Sequence, residues 1–137
     1  MGKRARVIEF PEGVRIRGAS SLFPFVRRWG LVPVETFLAA EVREDGSLIA
    51  LRVVAEGGSS CVAVSAADVY RMALVDRAYA LYAVHNHPSG TLSPSENDDA
   101  VTRALVRAGK IFGIPLLDHV IVTRDGFWSY EDNGRLV

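Results

Sequence analysis

Cysteine is almost absent: Cys61 stands alone in 137 residues. No intrachain disulfide can form, and a multi-cysteine zinc site is excluded. The Pro-Cys-x-x-Cys ligand pair of zinc deaminases is missing for the same reason. Cys61 lies in the apolar run Ser60-Cys61-Val62-Ala63-Val64 and reads as a small buried hydrophobe rather than a nucleophile. Net charge is absent too, because 16 basic residues balance 16 acidic ones, which disfavours a dedicated nucleic-acid binder. Lys3, Arg4, Arg6, Arg15, Arg17, Arg27 and Arg28 crowd the first part of the chain, most simply as a solvated terminus. There is no apolar run of about 18 residues to span a membrane. The charged N-terminus lacks the apolar stretch of a secretory signal, so the expected location is the cytoplasm. No internal repeat interrupts the chain.

What is present is an ordinary globular composition, 49% apolar and 23% charged, at a length that fits one core. Residues 1–19 read as an N-terminal arm or hairpin around Pro11-Glu12-Gly13, and 20–137 as the domain proper. Ser20 or Ser21 is positioned to cap a helix carrying Leu22, Phe23, Val26 and Trp29, with Pro24 in its first turn and Gly30 at its end. Pro33 to Val42 reads as a strand, Glu44-Asp45-Gly46-Ser47 as a hairpin turn, and Leu48 to Ala55 as the returning strand. Cys61 to Val64 would make a third strand, and Ser65 would cap a second helix. Tyr79 to Val84 is continuously apolar, as in a strand covered on both faces. A helix from Ser95 to about Lys110, a strand from Leu116 to Thr123 and a last strand from Phe127 to Tyr130 follow. Hairpin strands followed by alternating helices and strands predict an α/β fold, a mixed sheet flanked by helices.

The informative polar residues follow the apolar strand. His85 and His87 are two apart, so on a strand they point to one side and can approach one ion without distorting the backbone. Pro88 and Gly90 then turn the chain, and Asp98 arrives in the first turn of the next helix. Two imidazoles and a carboxylate make a three-ligand set with a fourth tetrahedral position free for water, the arrangement of a catalytic zinc site. Such an ion lowers the pKa of water to about 7. Hydrolysis also needs a carboxylate to carry the proton from water to the leaving group. Glu35 and Glu41 lie an even number of residues apart on one predicted strand and share a face unless a bulge intervenes; spacing alone leaves both open. Ser95 and Asp98 also fit a capping box, a role compatible with metal ligation because a carboxylate has two oxygens. His119, in Leu117-Asp118-His119-Val120, reads as a sheet histidine satisfied near Asp118 rather than as a support for a ligand. Trp29, Trp128 and Tyr130 read as packing residues, and Ser89-Gly90 as turn residues.

The string His85-Asn86-His87-Pro88-Ser89-Gly90, continued by Pro94-Ser95 and Asp98, resembles the JAMM signature of the JAB/MPN metalloproteases. With Ala108-Gly109 and Leu117-Asp118-His119 downstream, it is most similar to the RadC-like branch, over roughly residues 20–131. The resemblance implies a three-layer α/β/α fold like that of cytidine deaminases, around a mixed central sheet. It implies Zn2+ as the cofactor, held by His85, His87 and Asp98. Ser95 would hold the active-site water or stabilise an oxyanion. Glu35, in Glu35-Thr36-Phe37-Leu38, matches the family's general acid/base glutamate at the start of the first core strand.

The expected function is therefore a zinc metallopeptidase or isopeptidase acting on a protein or peptide, such as a ubiquitin-like tail. The competing expectations are a catalytically silent metal-binding scaffold and a RadC-like protein associated with DNA repair. The helix-hairpin-helix segment of full-length RadC-like proteins does not fit into residues 1–19.

Overall fold

The structure, a computed structural model, describes residues 6–57 and 64–137. Its elements in chain order are β1 (Arg6–Ile8), α1 (Ala19–Val26), β2 (Thr36–Val42), β3 (Leu48–Glu56), α2 (Ala66–Val75), β4 (Ala80–Asn86), α3 (Glu96–Phe112), β5 (Leu116–Thr123) and β6 (Gly126–Ser129). A 3-10 turn over Arg27–Leu31 continues α1. The strands form one six-stranded sheet in the order β1-β3-β2-β4-β5-β6. The neighbours β4 and β5 run parallel, and the other pairs are antiparallel. The parallel pair needs a crossover, and α3 provides it.

Alternation along the strands sorts the core into two layers. Leu38, Ala40, Tyr82, Val84, Val120 and Val122 join Leu22, Val26 and Trp29 of the α1 side. Phe37, Ala39, Leu81 and Ala83 face the opposite way and pack with Val69, Tyr70 and Ala73 of α2 and Leu105 and Ala108 of α3. Helices thus cover both faces, which is the expected three-layer α/β arrangement with a mixed sheet. Every residue of β4 is buried, as its unbroken apolar run predicts.

The hairpin turn, the Ser65 cap and the limits of β5 agree with the sequence reading. Other boundaries move for identifiable reasons. Helix α1 begins at Ala19 on Gly18, which makes no side-chain cap, so Pro24 sits inside the helix rather than in its first turn. Ser21 uses its hydroxyl on the Arg17 N–H and the Gly18 carbonyl instead. Strand β2 starts at Thr36 and not Pro33, because Val32 and Val34 present their carbonyls to Asn86 rather than to a ladder. Helix α3 passes Gly109 and stops at Gly113, which takes the left-handed conformation (φ 71°) that glycine adopts without strain. Gly109 is a packing position: a Cβ there would lie 2.7 Å from the Tyr70 hydroxyl and from the Ile114 carbonyl. The strand expected at Cys61 to Val64 falls on residues 61–63, outside the described residues, and Val64 itself is in no regular element. Among the described residues, no helix is long and apolar enough to cross a membrane.

Candidate metal centre

The centre forms where β4 ends and α3 begins. His85 is the penultimate residue of β4, 2% exposed, on the sheet face that packs against α2 and α3. Phe37, its partner across β2, stacks on its ring at 6.0 Å. The alternating direction sends Asn86 to the other face, where it is fully buried. Its Nδ2 lies within hydrogen-bond distance of the carbonyls of Trp29 (2.9 Å), Val34 (3.0 Å) and Val32 (3.2 Å), and its Oδ1 accepts from the Thr36 N–H at 2.7 Å. Asn86 therefore pins the segment that leads into β2. In the sequence Asn86 looks like a spacer between two histidines, although a polar residue ending an apolar strand is itself a signal.

His87 follows at the strand's end, and its backbone N–H donates to the Val122 carbonyl of β5. Ser95 caps α3 and forms a capping box with Asp98: its Oγ accepts the Asp98 N–H, and Asp98 Oδ2 accepts the Ser95 N–H at 2.8 Å. That box fixes the Asp98 carboxylate at the strand ends. Its Oδ1 lies 3.0 Å from His85 Nε2 and its Oδ2 3.0 Å from His87 Nε2, while the two Nε2 atoms are 2.9 Å apart. The three residues expected as ligands are thus brought together, with ligand atoms within 4.8 Å of one another.

Hydrogen accounting tests whether this cluster fits a cation. His87 Nδ1 is 2.6 Å from the Thr91 carbonyl, which can only accept, so Nδ1 carries a hydrogen and, in the neutral ring, Nε2 presents a lone pair. Burial pulls His87 toward the neutral form, but Asp98, the Thr91 carbonyl and Glu35 outweigh it and raise its pKa above the ordinary imidazole value. Burial likewise disfavours the Asp98 carboxylate, but His85, His87 and the Ser95 N–H overcome it and hold Asp98 well below the usual carboxylate range. An anionic carboxylate and imidazole lone pairs at about 3 Å call for a positive charge between them. Zinc–nitrogen and zinc–oxygen bonds of about 2.0–2.1 Å in a tetrahedron put donor atoms about 3.3 Å apart, close to the spacing here. The donor set fits a divalent metal with imidazole and carboxylate preferences.

The third histidine is placed differently from its expectation. His119 on β5 is completely buried, and its Nε2 lies 2.8 Å from His85 Nδ1. Its ring stacks on Tyr130 at 5.0 Å, and Nδ1 meets Thr102 Oγ1 at 2.6 Å. Burial, then the neighbouring His85, hold its pKa well below the ordinary value. Asp118 does not satisfy the His119 ring. Its carboxylate accepts from the His119 backbone N–H, the Glu131 N–H and the Ser129 hydroxyl, tying β5 to β6. The reason is alternation: adjacent residues of β5 face opposite sides of the sheet. Nothing local in the sequence encodes the β4–β5 register that sets Ala83 opposite His119.

The two glutamates separate clearly. Pairing of Thr36 with Asn86 in the Phe37–His85 register brings Glu35, half-buried just before β2, to the His87 end of the strand pair. Glu41 pairs across the strands with Leu81, four residues from His85, about 13 Å along the strand. It is 1% exposed and bonded to Arg52, so it has no place in the centre. The register shifts of β2 occur against β3 and leave the shared face of the two glutamates intact. Trp29 and Tyr130 are buried packing residues, as expected, and Trp128 is half-buried against Tyr130. Beside His87 runs a groove of about 230 Å³, lined by Gly30, Leu31, Pro33, Pro88, Gly90 and Arg124 among others. Gly30 also packs on the end of β5, where a Cβ would lie 2.4 Å from the Thr123 carbonyl.

Comparison with known proteins agrees with this architecture. The family described as RadC-like JAB domain matches residues 18–135. UPF0758 protein STH371 of Symbiobacterium thermophilum is 33% identical over 117 residues, covering 85% of this chain and 50% of that protein. A UPF0758 protein of Syntrophomonas wolfei is 33% identical over 131 residues, 96% of this chain and 54% of the relative. One from Methanospirillum hungatei is 40% identical over 102 residues, 74% of this chain and 45% of the relative. The chain spans about half the length of these curated relatives. With the match running through both core layers and the whole His-His-Asp cluster, the chain belongs to the RadC-like JAB domain family.

Proposed function

We propose that this domain binds one zinc ion through His85 Nε2, His87 Nε2 and the Asp98 carboxylate, and hydrolyses an amide or isopeptide bond of a protein or peptide. The observation that carries the reading is the convergence of an anionic carboxylate and two imidazole nitrogens within about 3 Å, with His87 also lining a groove. A zinc ion held there supplies Lewis acidity, which makes water nucleophilic near neutral pH.

The chain's own residues do the rest. Glu35 is the proton carrier: its carboxylate takes a proton from the attacking water as the C–O bond forms and gives it to the leaving nitrogen as the C–N bond breaks. Glu41 is unavailable for this because it is buried against Arg52. Ser95 keeps Asp98 aimed and, with its own hydroxyl hydrogen free of the capping contact, can donate to the substrate oxygen or the attacking water. The groove lined by Leu31, Pro33, Pro88 and Arg124 receives an extended substrate segment, for example a ubiquitin-like tail. The reading requires neither a membrane nor nucleic acid.

The test is zinc content and peptidase activity side by side. Wild type should carry about one zinc per chain and cleave a peptide or isopeptide library, and Glu35→Gln should keep the zinc and lose the cleavage. Zinc bound by both proteins with cleavage by neither would make the domain a silent metal-binding module.

A further inference from the structure

Behind His85 lies a chain of contacts that the proposed hydrolysis does not use. His85 Nδ1 is 2.8 Å from His119 Nε2, His119 Nδ1 is 2.6 Å from Thr102 Oγ1, and Thr102 Oγ1 is 2.8 Å from the Asp98 carbonyl oxygen. Each contact needs one hydrogen, and the last fixes the rest. A carbonyl oxygen only accepts, so the single hydroxyl hydrogen of Thr102 points to Asp98. Thr102 Oγ1 must then accept from His119, which puts the His119 hydrogen on Nδ1. His119 Nε2 is left as a lone pair and must accept from His85 Nδ1–H. His85 therefore turns a bare Nε2 toward Asp98 and His87. In the opposite arrangement, two oxygen acceptors would face each other at 2.8 Å with no hydrogen between them, deep in the core.

We propose that Thr102 and His119 are positioning residues, a buried relay that holds His85 in the tautomer whose Nε2 can ligate a metal. The relay starts on the side chain of one ligand and ends on the backbone of another, so it also ties the end of β4 to the first turn of α3. Its participants are fully enclosed: Thr102 is 2% exposed, His85 2% and His119 0%. Tyr130 stacks on His119 at an interplanar angle of 13°, and Phe37 stacks on His85 at 12°. The two rings hold the imidazole planes while the hydrogens set their polarity. A ligating histidine ordinarily donates its second N–H to a carboxylate, a carbonyl or water. Here a neutral imidazole fills that place, and it accepts only because a threonine hydroxyl fixes its own tautomer. His87 has the simpler arrangement, a direct bond to the Thr91 carbonyl.

The inference rests on the metal-centre reading, and its test separates the two. Long-range proton–nitrogen correlation of the imidazoles in the zinc-free protein, at a pH near 8 where ordinary imidazoles are neutral, reads each tautomer directly. Wild type should show His85 and His119 both protonated at Nδ1. Thr102→Val keeps the shape but removes the hydroxyl. It should invert both tautomers and weaken zinc binding by roughly 10–100-fold, the usual effect of losing an outer-shell partner. Thr102→Ser should restore both. Wild-type His85 protonated at Nε2 would overturn the relay without any variant having to fold. So would a folded Thr102→Val protein with unchanged tautomers and zinc affinity. Wild type with the stated tautomers but no zinc uptake would uphold the relay and defeat the metal-centre reading alone.

Discussion

Two largely buried ionic clusters sit at opposite ends of the β2–β4 strand pair, and they differ in one respect. Glu41, Arg52 and Asp76 form the first: Arg52 bonds Glu41 with one guanidinium nitrogen and Asp76 with another. The second is His85, His87 and Asp98. The first cluster contains its own cation. In the second, His87 Nδ1 meets the Thr91 carbonyl and His85 Nδ1 meets His119 Nε2; in the proposed relay both ring hydrogens point that way and only acceptors face inward. A buried charge with an internal counterion is a structural device. A buried acceptor set without one is a place for something to bind. The same sheet face, with the same apolar surroundings, thus separates a fold-supporting cluster from a candidate metal centre.

Substitutions should break this contrast in graded ways. The largest effect belongs to the centre: His85→Ala or Asp98→Ala should take zinc content from about one per chain to near zero, measured by elemental analysis on folded protein, and abolish hydrolysis with it. Glu35→Gln comes next, leaving zinc in place and lowering the hydrolysis rate by about 10²–10⁴-fold, the range of a lost general acid/base; unchanged cleavage would remove Glu35 from the reaction. Arg52→Met acts on the other cluster and should cost about 2–3 kcal/mol in denaturant unfolding. Zinc content should stay constant, and a loss of zinc would show that the clusters are coupled.

The last effect concerns pH. Burial, together with the neighbouring Asp76 carboxylate, outweighs Arg52 and raises Glu41 from 4.5 to about 8. Because the folded value is the higher one, the fold favours the protonated form. That contribution is complete below 4.5 and is lost as pH rises through about 8. Stability should therefore slope downward across that window, and Glu41→Gln should flatten the slope with no change in zinc binding. A slope that persists in Glu41→Gln would assign it to other groups.

The convergence of His85, His87 and Asp98 is legible in the sequence because their placement follows from local rules. Two residues apart on a strand share a side, and a capping box puts Asp98 at a helix start. The choice of Glu35 over Glu41 came from the family resemblance, since parity alone leaves both on one face. Strand register is what separates them, with Phe37 opposite His85 and Glu41 opposite Leu81. The His119 ring meets His85 and Thr102 rather than the expected Asp118, because the contact to His85 crosses a parallel strand pair joined through α3 while chain adjacency points to Asp118. Asn86 was missed because its three acceptors lie on the α1 side, more than fifty residues earlier in the chain. Pro24 was misplaced by one turn because Gly18, which offers no side-chain cap, starts the helix ahead of the serines. In each case the missing information was tertiary pairing, which residue spacing does not carry.

The central proposal is that His85, His87 and Asp98 hold a metal ion, whereas the Arg52 cluster does not. Calorimetric titration of the metal-free protein with zinc tests it most directly, on wild type, Asp98→Ala and Glu41→Gln. The account predicts one site per chain in wild type and Glu41→Gln, and none in Asp98→Ala. Equal zinc binding by wild type and Asp98→Ala, or no binding by wild type, would contradict it.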